Sequence, residues 1–293
     1  MASIKLEESA RKVHPVFSSR EGDVVLCSTE GTLYRIPSYV LRNTSGLFRS
    51  LLPPPKLPPC HDAQTEVTDP IAVDEKDVVV ERILRLLSGL ETPKWESFDE
   101  IEAVASLAEK WNAPGPISVI RSAITAPHLL LESIRLYAIA THFGWEEEAK
   151  LASTFTLTLS LYDERHVDQL QRLTTKDLMK LLAFHRRRRD EFRALVDSDE
   201  TFNAGNATNH FCSGCGEKVD NHTWRELKAR MFYEMDQRPM GDTLSGLDME
   251  EWPESIACWS AKCRRPECGR LYYNKLVTLR DIQGCLDRLS TSI

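Results

Sequence analysis

The stretch that decides the fold of this 293-residue chain is residues 23–52, which read DVVLCSTEGTLYRIPSYVLRNTSGLFRSLL. It begins with a short apolar run at residues 24–27, of the length expected for a buried strand. A connection ending at Gly31, where a positive φ is often required, leads into residues 32–36, which are rich in β-branched and aromatic side chains. The pattern predicts a β-hairpin.

Two short helices are predicted after the hairpin. Pro37 has no N–H to continue a ladder, so the second strand ends there. Ser38 and Ser45 are each placed to cap a helix. The second of these helices has its apolar side chains mostly on one side: Leu47, Phe48, Leu51 and Leu52.

This order of elements resembles the beginning of a BTB/POZ domain. Such domains open with an Asp-led hydrophobic strand and a hairpin, followed by a capped helix and a Ser-x-x-Phe helix, which here reads Ser45-Gly46-Leu47-Phe48. Later, residues 107–111, LAEKW, resemble the leucine-alanine-acid-lysine-aromatic helix of these domains. The resemblance covers residues 20–126. It implies a domain that binds proteins, a second copy of itself included, and that carries no chemistry of its own.

The remaining elements of this region lie on either side of one predicted insertion. Residues 1–19 are polar and are expected to be a flexible N-terminus. Residues 53–70 form a proline-rich insertion, with five prolines within residues 53–59, which predicts an extended, polyproline-like segment. After it, the pattern predicts a strand at residues 71–73 and helices at residues 78–87, 98–111 and 117–124.

Residues 127–198 are predicted to be an all-helical extension. Residues 156–162, TLTLSLY, have strand propensity but are interpreted as helix because their flanks are helical. Phrases at residues 136–140, 143–146 and 181–186 resemble a group of fungal BTB-domain proteins in which a helical segment follows the BTB fold. That group also carries a C-terminal Cys-rich segment.

One dense basic run, HRRRR, lies at residues 185–189. It is interpreted as a solvated helix face whose charge is offset by Asp190 and Glu191. The alternatives are a nuclear-localisation patch and a contact with nucleic acid.

Four cysteines indicate a metal site. After a polar linker at residues 199–211, Cys212 and Cys215 form a C-x2-C turn, and Cys263 and Cys268 form a looser C-x4-C turn. In both, a glycine follows the second cysteine. Two such turns predict a closed, structural Zn²⁺ site with four thiolate ligands. Residues 212–293 are therefore predicted to be a small zinc-stabilised α/β module.

The gap between the two turns must hold structure. Trp224, Leu227, Met231 and Met235 recur at helical spacing and predict a core-facing helix. A second helix is predicted near residues 252–258, a strand at residues 271–273 and a closing helix at residues 278–289.

The cysteine and histidine spacing leaves some ligand assignments open. Cys258 could replace Cys263 as a ligand or be buried as a small apolar residue. His210 is expected to be an exposed linker histidine. The remaining thiols, Cys27, Cys60 and Cys285, are interpreted as two core thiols and one loop thiol.

The composition is ordinary for a globular protein, at 42% hydrophobic and 28% charged. The net charge of −7 gives no general support for binding nucleic acid or an anionic membrane. No apolar run is long enough to cross a membrane, and the polar start does not resemble a secretory signal. An intracellular setting, cytoplasm and/or nucleus, is expected, where the cysteines would be thiols or metal ligands.

The sequence thus predicts an α+β protein whose function is protein–protein interaction. The family resemblance allows a role as a substrate adaptor for a cullin-type ubiquitin ligase, although no hydrophobic-x-Glu motif follows residues 78–87. The alternative is a BTB-zinc transcriptional regulator that binds DNA or chromatin partners. An enzyme is not expected, because the chain lacks the H-E-x-x-H, G-x-S-x-G, P-loop and zinc-deaminase motifs.

Overall fold

The computed structural model describes residues 12–53, 69–244 and 247–293. The structure is mixed α+β, as predicted. The chain divides into two compact units, Met1–Ala126 and Pro127–Ile293. Across the described ranges, no helix combines the length and apolar character needed to span a bilayer. Most of the predicted proline-rich insertion, with Cys60, lies outside the described residues.

The first unit contains a three-stranded sheet in the order β2-β1-β3. Strands β1 (Val24–Cys27) and β2 (Leu33–Ile36) are antiparallel, and β3 (Ile71–Ala72) runs parallel to β1. Gly31, in the turn between β1 and β2, has a φ of 82°. The predicted hairpin is therefore confirmed.

Five α-helices lie in the described residues of the first unit, and they follow the predicted positions closely. They are α1 (Ser38–Thr44), α2 (Gly46–Leu51), α3 (Asp77–Leu87), α4 (Phe98–Lys110) and α5 (Pro114–Ile124). Their apolar faces and the sheet bury a core of aliphatic and aromatic side chains: Leu26, Tyr34, Leu41, Phe48, Val80, Ile83, Leu84, Ile101, Val104 and Ile120.

One of the two predicted helix caps is correct. Ser45 caps α2, since its hydroxyl oxygen accepts a hydrogen bond from the Phe48 N–H at 3.2 Å. The expected Ser38 cap is wrong. Ser38 is instead the first residue of α1, and its N–H donates to Asp23 Oδ1 at 2.6 Å. A carboxylate that precedes β1 therefore satisfies the first amide of α1.

Part of the N-terminal segment that the sequence predicts to be flexible packs against this sheet. The Leu33 N–H donates to the Lys12 carbonyl at 2.8 Å. The His14 ring stacks on Tyr34 with centroids 4.9 Å apart, and Phe17 is buried. Residues 12–17 thus belong to the folded edge of the first unit.

The second unit is helical over its described residues. Its helices are α6 (Ser133–His142), α7 (Glu146–Thr156), α8 (Val167–Leu170), α9 (Thr175–Val196), α10 (Asn203–Asn206), α11 (His222–Gln237), α12 (Leu247–Glu251), α13 (Pro253–Ser260) and α14 (Lys275–Asp287). The four apolar residues that predicted α11 are all buried.

The prediction that residues 156–162 are helical is wrong. Helix α7 ends at Thr156, and turns follow. The Leu157 carbonyl accepts a hydrogen bond from the Met240 N–H at 2.9 Å, so a distant loop takes up the backbone group that a continued helix would use. Leu157 and Leu161 are buried, so tertiary packing determines the conformation of this segment.

Residues 199–211, interpreted as a linker, are packed into the second unit. Phe202 stacks on Trp224 with centroids 5.2 Å apart. The Asn206 amide donates to the Val196 carbonyl at 2.8 Å, and its oxygen accepts from Trp224 Nε1 at 2.9 Å. Helices α9 and α11 consequently contribute to one core, together with α12, α13 and α14.

The predicted strand at residues 271–273 is also wrong. Leu271 forms one isolated bridge with Lys262, and Phe211 forms another with Lys218. In the described part of residues 212–293, neither bridge is extended into a strand. The predicted α/β module is therefore helical, with two isolated bridges. Each bridge closes a cysteine-bearing turn and extends no further.

Candidate metal centre

The first cysteine turn is a tight loop closed by backbone hydrogen bonds. The Cys212 N–H donates to the Glu217 carbonyl at 2.8 Å, and the Gly216 N–H donates to the Cys212 carbonyl at 2.9 Å. Gly216 has a φ of 71°, a backbone conformation that glycine adopts without strain. These bonds bring Cys212 and Cys215 to the same side of the turn.

The second cysteine turn follows the same plan with two more residues. The Cys263 N–H donates to the Arg270 carbonyl at 2.8 Å, as Cys212 does to Glu217. The Cys268 N–H donates to the Arg265 carbonyl at 3.0 Å, and Gly269 has a φ of 54°. The extra turn absorbs the C-x4-C spacing, so the looser motif still presents both thiols together.

The two turns bring the four predicted ligand sulfurs into one cluster. Cys212 Sγ lies 3.6 Å from Cys268 Sγ, and Cys215 Sγ lies 3.4 Å from Cys263 Sγ. All four sulfurs lie within 4.8 Å of one another. Disulfide sulfurs are about 2.05 Å apart, so these are separate thiols.

The spacing of the sulfurs fits one tetrahedral ion. Thiolates bound to a tetrahedral centre at about 2.3 Å place their sulfurs about 3.8 Å apart. The observed 3.4 and 3.6 Å contacts are close to that separation. A soft, anionic donor set of four sulfurs suits a borderline-soft divalent metal.

Backbone amides point at the sulfurs and favour their anionic form. The Gly214 N–H, helped by the neighbouring thiols, lowers the pKa of Cys212 to about 7. The Glu217 N–H acts in the same direction on Cys215, but burial and the Cys263 thiol outweigh it and raise the pKa of Cys215. Without a cation, Cys212 therefore ionises more readily than Cys215 does.

Gly214 makes room for the opposite turn. A Cβ atom at this position would lie 3.2 Å from Cys268 Sγ, tighter than an ordinary contact. The absence of a side chain thus lets the first turn approach the second turn closely enough for the sulfurs to meet.

Exposed basic side chains of the second turn also reach polar side chains of the first. The pairs are Arg264 with Asp220 at 2.7 Å, Arg265 with Glu217 at 3.3 Å, and Arg270 with Ser213 at 2.9 Å. Arg264 and Arg265 are neutralised by their carboxylate partners, so these two pairs join the turns without changing the net charge at the rim. Arg270 has a neutral side-chain partner, and its positive charge would offset part of the net −2 of four thiolates around a divalent ion.

The other cysteines lie elsewhere. Cys258 is fully buried in the main core of the second unit, where burial raises the pKa of its thiol to about 12. It is not among the sulfurs that cluster, and His210 is not among the clustered donors of the described residues either. Cys27 is half-buried in β1, and Cys285 is buried in α14.

The basic run at residues 185–189 is only in part a solvated face. His185 and Arg188 are buried. Arg188 donates to the carbonyls of Pro239 and Ser290, at 2.6 Å each, and to that of Met240 at 3.3 Å. Arg188 therefore ties α9 to two distant loops of the second unit, and Arg186 and Arg187 are the well-exposed arginines of the run.

Two residues of the cluster's surroundings were not indicated by the sequence. Gly214 lies inside the C-x2-C motif, and the need for glycine there comes from the nearness of Cys268 in the opposite turn. Tyr272 packs against both the sulfur cluster and the main core of the second unit. It lies four residues after Cys268, and that position alone carries no signal.

No protein-family model matches the chain. A search of curated proteins returned no match to its sequence.

Proposed function

We propose that this chain is a protein-interaction adaptor built on a BTB/POZ-type domain, with one structural Zn²⁺ in its second unit. The observation that carries the proposal is the contact between the two motifs on which the resemblance rests. Ser45 and Phe48, of the Ser-x-x-Phe helix, both contact Trp111, the aromatic residue of the later motif. The Phe48 and Trp111 rings meet edge to face, with centroids 5.0 Å apart.

The order of elements in the first unit supports the same assignment. An Asp-led strand, a hairpin, two short helices, a parallel third strand and three longer helices follow one another. Asp23, which leads β1, also holds the start of α1 through Ser38. Asp23, the first residue of the BTB-like pattern, thus stabilises the start of the helix that follows the hairpin.

The metal proposal rests on the donor set. Cys212, Cys215, Cys263 and Cys268 supply four thiolates, and four ligands fill the coordination of tetrahedral zinc. No position is then left for a water molecule or a substrate, so the ion would crosslink two turns that are distant in sequence. This role is structural, and it agrees with a scaffold better than with a catalyst.

An apolar surface on the first unit supports a protein partner. Leu47 and Leu51 lie one turn apart on α2, and both side chains are exposed. Neighbouring exposed apolar side chains mark interaction surfaces more often than solitary ones do. We infer that this surface binds a protein partner, a second copy of the chain being the first to test.

A pair of matched variants tests the surface. Leu51 and Val78 are both 57% exposed, and they lie on different helices of the first unit. Sedimentation of the full chain is expected to show dimers for the wild type and for Val78→Glu, and monomers for Leu51→Glu. A monomeric wild type that also fails to bind a purified cullin scaffold would contradict the adaptor proposal. Binding to DNA in a low-salt gel shift would favour the transcriptional regulator instead.

A further inference from the structure

Two short sulfur contacts join the cysteine turns, and each pairs a shielded thiol with a more accessible one. Cys212 is 6% exposed, and its sulfur lies 3.6 Å from that of Cys268, which is half-buried. Cys263 is 5% exposed, and its sulfur lies 3.4 Å from that of Cys215, which is half-buried as well. Oxidation-sensitive cysteines are accessible ones that have a second thiol beside them. The centre contains two such pairs.

The other described cysteines are placed differently. Cys258 and Cys285 are fully buried in the main core of the second unit, where a dissolved oxidant does not reach them. Cys27 is half-buried in the first unit, and its sulfur contacts the Ser28 carbonyl at 3.6 Å. We therefore expect oxidation to begin at the four clustered sulfurs.

Hydrogen peroxide can oxidise each pair in two steps. One thiolate attacks the O–O bond and becomes a sulfenic acid, while the other peroxide oxygen takes up a proton and leaves as water. The second thiolate attacks the sulfenic sulfur, an S–S bond forms, and the sulfenic oxygen takes up a proton and leaves as water. Each pair thus loses two electrons to one peroxide molecule.

We propose that hydrogen peroxide oxidises the metal centre to two disulfides, each of which joins the first cysteine turn to the second. One disulfide links Cys212 to Cys268, and the other links Cys215 to Cys263. This inference rests on the proposed metal site. Metal ligation requires thiolates, so formation of the disulfides releases the ion. The centre is then a redox-sensitive site that exchanges a metal crosslink for a disulfide crosslink.

The pairing of the sulfurs determines what happens to the fold when the ion leaves. A disulfide inside each turn would leave the two turns without a bond between them. Disulfides between the turns join residues 56 and 48 positions apart, and so enclose the segment that holds α11 to α13. Crosslinks over such distances restrict the unfolded chain. The oxidised chain should therefore resist urea better than the reduced, metal-free chain does.

Peptide mapping of the full chain distinguishes the two pairings. Trypsin cleaves after Lys and Arg, but not before Pro. It therefore leaves both cysteines of the first turn in residues 194–218, and it separates those of the second turn into residues 263–264 and 265–270. Without reduction, disulfides between the turns hold all three peptides in one species. Disulfides within the turns give residues 194–218 alone and the two small peptides as a linked pair.

The zinc-loaded chain would be treated with hydrogen peroxide, with zinc release followed by a chromogenic chelator. We expect the three-peptide species, the loss of four thiols and the release of one zinc ion per chain. Fragmentation between Cys212 and Cys215 in the mass spectrometer then assigns the partner of each. Dithiothreitol with added Zn²⁺ should restore the metal-bound form.

Two single variants provide a matched comparison. Cys258→Ser should form both disulfides, because Cys258 lies outside the cluster. Cys263→Ser should form only the disulfide between Cys212 and Cys268.

The possible failures are distinguishable. Disulfides within the turns, or sulfinic acids in place of disulfides, in a chain that had bound zinc would overturn the inference and leave the metal site intact. A wild-type chain that binds no zinc would overturn the metal site and the inference with it.

Discussion

The Ser45 hydroxyl donates a hydrogen bond to the Trp111 carbonyl at 2.6 Å, which joins the start of α2 to the end of α4. Ser45 is fully buried, and its oxygen also accepts from the Phe48 N–H. One side chain therefore caps one helix and satisfies the last turn of another. Gly46 adds to this junction, since its N–H donates to the Asn112 carbonyl at 2.9 Å.

Replacing Ser45 by Ala is expected to lower the free energy of unfolding of the first unit by about 2 kcal/mol, because a helix cap and a buried hydrogen bond are lost together. Ser38→Ala is the control, since Ser38 is the first residue of α1 and Pro37 occupies the N-cap position. Chemical denaturation of both variants measures the difference. Equal losses of unfolding free energy in the two variants would show that the Ser45–Trp111 hydrogen bond does not stabilise the first unit.

Gly214→Ala is expected to weaken metal binding about tenfold, because the added methyl group would press on Cys268 Sγ from 3.2 Å and disturb the ligand geometry. Gly284→Ala is the control. An added Cβ at Gly284 meets no neighbour within 4 Å, and alanine favours a helix interior by up to about 1 kcal/mol. Chelator competition would measure the affinities. An unchanged zinc affinity in Gly214→Ala would argue against the close approach of the two turns.

The stability of the second unit should fall as the pH drops from about 6.5 to about 4. Burial, followed by the charge of Arg188, lowers the pKa of His185 from 6.5 to about 4. The Thr156 hydroxyl donates to the Ser153 carbonyl, so its oxygen accepts from His185 Nε2 and holds the neutral ring. In that pH range the unfolded chain takes up a proton that the folded chain does not, and folding loses up to about 3 kcal/mol.

His185→Gln removes this titration and keeps a hydrogen-bond donor for Thr156. Between pH 4 and pH 6.5, the wild type should take up about one more proton on unfolding than the variant does. Its free energy of unfolding should therefore fall more steeply than that of the variant as the pH drops. Urea denaturation at several pH values provides the comparison. Parallel pH profiles for the two proteins would mean that His185 is not the group responsible.

Local sequence signals predicted some elements of this fold, and tertiary contacts determined others. The hairpin, α3, α4 and α11 follow from periodicity and turn residues, which act over a few positions. The Asp23 cap of α1 depends on a residue 15 positions away from its partner, and no local pattern indicates it. Arg188 is similar, because its carbonyl partners come from segments far along the chain.

The candidate centre shows the same division. The cysteine spacing predicted the four sulfurs, because each turn is a local structure with its own glycine. The roles of Gly214 and Tyr272 depend on how the second turn meets the first, across the long intervening segment that holds α11 to α13. Spacing alone did not decide whether Cys258 is a ligand. Its packing in the structure places it in the main core of the second unit.

The zinc content of the purified full chain, measured by native mass spectrometry alongside Cys263→Ala and Cys258→Ala, tests the metal centre directly. We expect one zinc ion per chain in the wild type and in Cys258→Ala, and loss of the ion in Cys263→Ala. A folded wild-type chain that carries no metal, or a zinc ion that depends on Cys258 and not on Cys263, would contradict it.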